Sequence, residues 1–163
     1  MQREGLKLNM NILILFRTKY GSTEQYAKWI AEEVNADIFD VESFDINRLD
    51  NYGTIIIGSP TYMGNIQMKD FLEQHWEILK HKNIYLYTVG MFPWESSESK
   101  KSFEMIPEHI RDKIGFSKLP GRLDTRKLSL SEKLIVKLTK AQPEDKVHRD
   151  NIAPIVKWVK ELG

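Results

Sequence analysis

The chain contains no cysteine, which excludes disulfide cross-links, a thiolate nucleophile and a cysteine-ligated iron–sulfur centre. Any redox chemistry must then belong to a bound cofactor. Histidine is also scarce. His75, His81, His109 and His148 are scattered along the sequence, form no clustered metal site, and read as structural or surface residues. No run approaches the roughly 20 apolar residues needed to cross a bilayer, and the opening MQREGLKLNM lacks the apolar stretch of a secretory signal. A surplus of one charge is missing too. With 24 Lys and Arg against 23 Asp and Glu, the formal charge is +1, which supplies no global field for nucleic acid, and none is expected as a partner. These absences favour a cytoplasmic protein. Residues 1–7 read as a frayed terminus, and Met10 as an alternative start.

What is present is an ordinary globular composition, 41% hydrophobic and 29% charged over 163 residues, enough for one core and too little for two. Residues 1–163 are therefore read as a single domain. Residues 11–16 are an apolar run suited to a strand buried on both faces. From Thr23 onward Tyr26, Ala27, Ile30, Ala31 and Val34 recur at helical spacing. Short strands are expected at 37–41, 54–58 and 83–90, with 54–58 running into a loop, SPTYMGN. A helix is expected over 68–79, with Phe71, Leu72, His75 and Trp76 toward its covered side. Another carries Phe103, Ile106, Ile110 and Ile114, distorted by Pro107. The last helix presents Ile152, Ile155, Val156, Val159 and Leu162, with Asn151 as its cap and Pro154 in its first turn. Strands alternating with helices give a parallel α/β sandwich.

Residues 120–148 fit this alternation least and read as an insertion in, or extension of, the fifth-strand region, which begins near 117–123. Within it LSLSEKLIVKLTK forms a helix with Ser129 and Glu132 spaced as a capping box. Leu130, Leu134 and Leu138 share its apolar face, and Lys133, Lys137 and Lys140 enrich its polar side. Two readings of that face stay open: the leucines pack on the domain, or they meet an external apolar surface.

Chemistry is suggested by three loops. TKYGST follows the first strand and opens the first helix, so Thr18, Lys19, Tyr20, Gly21, Ser22 and Thr23 can gather backbone amides and hydroxyls around an anion at a helix start. The turn has neither the lysine and spacing of a triphosphate loop nor the repeated glycines of a dinucleotide fingerprint. Pro60, Thr61, Tyr62, Met63, Gly64 and Asn65 follow the third strand. Val89 and Gly90 end the fourth, followed by Met91, Phe92 and Trp94. In a doubly wound sheet all three loops open at one edge, combining groups for phosphate with aromatic and sulfur side chains for a flat ring.

With TKYGST, GSPTYMGN and NIYLYTVG followed by an aromatic loop, the chain resembles the flavodoxin-like FMN proteins over residues 11–162. The resemblance implies a flavodoxin-like three-layer α/β sandwich with a five-stranded parallel sheet in order 2-1-3-4-5. It also implies FMN, with residues 18–23 at the phosphate and Tyr62 and Phe92 to Trp94 flanking the ring. Tyr20 stands where many related turns use a smaller hydroxyl residue, and its ring either points outward or covers the ribityl chain. The function implied is electron transfer between redox partners, with no catalytic side chain assigned. The late basic helix also resembles menaquinone-dependent protoporphyrinogen dehydrogenases, which implies a quinone partner and peripheral contact with the inner face of the membrane through residues 130–140. SPTYMGN is closer to other small flavodoxin-like proteins, and an arginine-rich surface expected after the third strand of those enzymes is missing. A noncatalytic interaction module is the remaining alternative.

Overall fold

In the computed structural model, residues 11–123, 125–139 and 144–163 are described. The proposed frayed terminus, Met10 and Lys140 lie outside them. Strand β1, Ile12–Phe16, alternates between two cores. Leu13 and Leu15 join Ile55, Ile57, Leu72 and Leu86 on one face of the sheet, while Ile14 and Phe16 join Tyr26, Ile30, Ile56 and Tyr87 on the other. Burial on both faces is why this strand is uniformly apolar. Helix α1, Ser22–Val34, covers the second face through Tyr26, Ala27 and Ile30.

The chain continues through β2 (Asp37–Asp40), β3 (Thr54–Tyr62), the two-residue β4 (Asn65–Ile66), α2 (Lys69–Gln74), α3 (Trp76–Leu79) and β5 (Asn83–Gly90). It then forms α4 (Ser97–Glu104), α5 (Glu108–Arg111) and β6 (Gly115–Pro120). The five long strands are parallel in the order β2-β1-β3-β5-β6, with β4 antiparallel to β3. Once the hairpin strand β4 is set aside, this is the expected 2-1-3-4-5 order and a flavodoxin-like three-layer sandwich.

Several boundaries differ from the sequence expectation. Strand β3 runs on to Tyr62, because Ser59 and Pro60 keep pairing with Thr88 and Val89. SPTYMGN is therefore part of a strand and a hairpin. The helix expected over 68–79 breaks at His75, and the one around Pro107 divides into α4 and α5. The fifth strand starts at Gly115, ahead of the expected position.

After β6 the chain leaves through β7 (Arg122–Leu123) and returns through β8 (Glu144–Asp145), an antiparallel stem joined by the Arg122–Asp145 ion pair at 2.9 Å. Between them lies α6, Leu130–Thr139. Its capping box forms as expected: Ser129 N–H donates to Glu132 Oε1 and Glu132 N–H to Ser129 Oγ, each at 3.3 Å. Its leucines do not pack on the domain, since Leu130, Leu134 and Leu138 are 87%, 57% and 73% exposed.

The last helix, α7 (Ala153–Leu162), follows a 3-10 turn at Arg149–Ile152 and has Pro154 in its first turn. Ile152 and Ile155 are buried beneath it, while Leu162 is exposed. Asn151 is not its cap. The Asn151 amide donates instead to Tyr26 Oη at 3.0 Å and to the Lys146 carbonyl at 2.9 Å. Tyr26 in turn donates to the Pro120 carbonyl at 2.5 Å, fastening α1 to the end of β6.

Candidate functional site

The carboxyl ends of β1, β3, β5 and β6 meet at a cleft of about 310 Å³, within the range of small-molecule sites. At the first of these ends Gly21 adopts φ +96° and caps α1 without a side-chain hydrogen bond. Thr18 Oγ1 accepts from the Gly21 N–H at 2.9 Å, closing the turn. The oxygen of Thr18 thus braces the loop as an acceptor, and Ser22 and Thr23 enter the helix with no side-chain cap for their amides. Uncapped amides at a helix start favour an anion. The turn is held from below by Tyr87, fully buried, whose hydroxyl donates to the Thr23 carbonyl at 2.8 Å.

The second wall is a hairpin. Tyr62 pairs with Asn65 across Met63 and Gly64, whose φ values are +52° and +80°. Two positive φ values in a two-residue connection define a type I′ turn, which favours Asn-Gly, so Met63 is held there against its steric preference. Met63 is 65% exposed at the rim. The Asn65 amide donates to the Met63 carbonyl at 3.3 Å. The third wall is the segment after β5, where Met91 and Phe92 are exposed. Two buried serines of α4 hold these walls: Ser102 donates to the Gly64 carbonyl at 2.6 Å and Ser99 to the Phe92 carbonyl at 3.1 Å.

The cleft lining includes Lys19, Tyr20, Ser22, Thr23, Pro60, Thr61, Tyr62, Met63, Gly64, Val89, Gly90, Met91 and Phe92. Thr18, Gly21, Asn65 and Trp94 are not brought to its surface. The first three shape the two turns, whereas Trp94 packs against Phe103 and Phe116, with ring centroids 5.7 and 5.3 Å away. That aromatic cluster competes for the indole.

Other lining residues carried no sequence signal that placed them at the cleft, notably Ser99, Ser102, Lys118 and Glu132, the last read only as a helix cap. Glu132, on α6, accepts a hydrogen bond from Tyr20 and lies 3.7 Å from Lys19. Desolvation works to raise its pKa, but the hydrogen bonds from Tyr20 and Ser129 and the Lys19 charge prevail and hold the carboxyl below its ordinary value. Burial, followed by the Glu132 contact, pushes the Tyr20 phenol up. The ring of Tyr20 thus points toward α6 and latches it over the turn. Lys19 also places its ammonium 3.2 Å from the centroid of Tyr62, covering one face of that ring.

Lys118 reaches Thr61 Oγ1 at 3.3 Å, and burial lowers its pKa to about 8. Lys19, Lys118, Arg122 and Lys127 face the cleft against Glu98 and Glu132. Lys19 is paired with Glu132 and Arg122 with Asp145, which leaves Lys118 and Lys127 against Glu98 and a local surplus of one positive charge. Among the described residues, no cluster of His, Asp and Glu is arranged to hold a metal. An uncapped amide turn for phosphate, a cationic surplus, and an apolar slot beside Tyr62, Met91 and Phe92 together match an anionic cofactor with a flat ring.

Comparison with known proteins agrees with this architecture. The family described as flavodoxin domain matches residues 13–150. An uncharacterized protein of Methanocaldococcus jannaschii is 29% identical over 106 residues, 64% of this chain and 66% of that protein. The Escherichia coli protoporphyrinogen IX dehydrogenase [quinone] is 27% identical over 89 residues, 50% of this chain and 49% of that protein. The matched stretches therefore span about two thirds and about half of these relatives. The crystal structure of oxidised flavodoxin 2 from Bacillus cereus superposes with a TM-score of 0.51 over 80% of this chain and 99% of that one, at 22% identity. That likeness is one of fold. Among the described residues, no helix is long and apolar enough to cross a membrane.

Proposed function

Because the chain belongs to the flavodoxin domain family, we propose that it binds FMN in this cleft and transfers electrons between redox partners. The observation that carries the reading is the union, in one cleft, of an uncapped helix start at Gly21 with the apolar walls of Tyr62, Met91 and Phe92. Bound FMN supplies the electron storage that a chain without cysteine lacks. Ser22, Thr23 and the backbone of residues 19–21 hold the phosphate, and Gly21 gives the turn its path. Tyr62, Met91 and Phe92 orient the ring and exclude water from it. Tyr20 and Glu132 close the cleft over the phosphate end.

The exposed leucines of α6 favour a particular acceptor, a quinone at a membrane surface. Leu130, Leu134 and Leu138 enter the lipid interface while Lys133 and Lys137 meet anionic headgroups. The name of the Escherichia coli relative points to the same class of acceptor. Purified protein reconstituted with FMN and reduced anaerobically tests both statements. Rapid reoxidation by a menaquinone analogue, quickened by anionic liposomes, supports the quinone reading. Reoxidation only by a redox protein supports a carrier. A cleft that does not take up FMN removes both.

A further inference from the structure

Lys118 starts on β6 and ends beside Thr61 on β3, although β5 lies between those strands. Two strand spacings are about 9.5 Å, so its side chain must lie across β5 to reach that far. Gly90 is what lets it cross: a Cβ there would stand 2.8 Å from Lys118 Nζ and 3.6 Å from Cε. The ammonium therefore rests on the floor of the cleft, between the β3 and β5 walls. Among the described residues its one hydrogen bond goes to a neutral hydroxyl and no carboxylate pairs with it. Burial without a counter-charge disfavours the cation, in line with its lowered pKa. A half-buried charge without a counter-charge is a burden on folding, and such groups cluster at functional sites.

We propose that Lys118 faces the redox-active ring of the cofactor and, by its positive charge, favours the reduced form over the oxidised form. This rests on the FMN reading above. The anion turn follows β1, on the side of β3 away from β5, and has its own donors, which leaves the Lys118 charge to the ring. A ring that takes two electrons and one proton from a redox partner gains one negative charge. Lys118 contributes no electron and no proton to that step; it lowers the energy of the more negative product. It is a positioning and electrostatic residue whose effect is read as a potential. Gly90 serves the same end by keeping the path over β5 open.

The test compares wild type, Lys118→Met and Lys118→Arg, loaded with FMN and titrated anaerobically against a reference dye. The methionine variant is expected to lower the affinity for reduced relative to oxidised FMN about tenfold, close to 30 mV for a two-electron couple. The arginine variant should recover most of that ratio. The apo form of Lys118→Met should be at least as stable to urea as wild type, whereas a lysine needed only for its bond to Thr61 would leave the variant less stable. Gly90→Ala, which displaces the ammonium without removing it, should shift the potential in the same direction. A Lys118→Met protein that binds FMN with an unchanged ratio, or that does not fold, overturns the inference and leaves the FMN reading standing. Wild type that does not bind FMN overturns both.

Discussion

Substituting Gly58 by alanine tests how the core holds the Gly21 turn. Gly58 is paired with Phe16 on one side and Tyr87 on the other, and its carbonyl accepts from the Arg17 N–H at 3.0 Å, so its backbone cannot yield. An added Cβ would lie 2.8 Å from Tyr87 Cε1 and closer still to Cζ and Oη. Carbon atoms normally rest about 3.5–4.0 Å apart, so the ring must move by about 1 Å or more. Tyr87 is fully buried, and that movement draws its hydroxyl from the Thr23 carbonyl in the first turn of α1. Overpacking contributes about 1–3 kcal/mol and the broken hydrogen bond about 1 kcal/mol, giving a loss near 3 kcal/mol. The melting temperature should fall by roughly 6–12 °C. Urea denaturation of Gly58→Ala, Tyr87→Leu and the double variant measures this. The double variant should be more stable than the sum of the single losses predicts. A loss below 1 kcal/mol, or strict additivity, would refute the reasoning.

Replacing Met63 by asparagine should stabilise the fold by about 0.5–1 kcal/mol, measured by urea denaturation, because Asn-Gly suits the type I′ turn better than Met-Gly. Tyr20→Phe removes the hydrogen bond to Glu132 and should raise hydrogen exchange in α6 and the FMN dissociation rate several-fold, with global stability changed by less than about 1 kcal/mol. Lys118 supplies a pH test. Its folded pKa, about 8, lies below its ordinary value of 10.5, so the unfolded chain binds more protons between them and stability rises with pH across that window. Relative to Lys118→Met, the wild-type apoprotein should gain stability from about pH 8 upward. Comparison with the variant cancels the opposite contribution of Tyr20, Tyr26, Tyr52, Tyr85 and Tyr87, whose raised pKa values weaken the fold above the ordinary tyrosine value of 10.

The parallel sheet was legible because β1 and β5 are apolar on both faces and α1 repeats at the helical period. Those patterns are imposed by burial and survive in sequence. The course of Ser59 to Tyr62 was not legible, since Gly-Ser-Pro reads as a break when only cross-strand pairing with Thr88 and Val89 keeps the segment extended. Asn151 looked like a cap by position, but a tertiary partner, Tyr26, claims its amide. Trp94 looked like a ring-stacking residue by its loop, yet Phe103 and Phe116 hold it. The roles of Lys118 and Glu132 depend on where a long side chain and a distant helix come to rest, which local spacing does not encode. The capping box of α6 was readable because Ser129 and Glu132 are three residues apart. The exposure of its leucines was not, because amphipathic periodicity is the same whether a face meets its own domain or another surface.

The central claim is that this cleft gathers a flavin by its phosphate at the Gly21 turn. Fluorescence titration of the apoprotein with FMN and with riboflavin, which differ only by the phosphate, tests it most directly. One FMN per chain is expected, with riboflavin bound about 100-fold or more weakly, near 2.7 kcal/mol. Gly21→Ala, which strains the φ +96° turn with nothing else within 4 Å, should weaken FMN and leave riboflavin nearly unchanged. Equal affinity for the two flavins, or no binding of either, would contradict it.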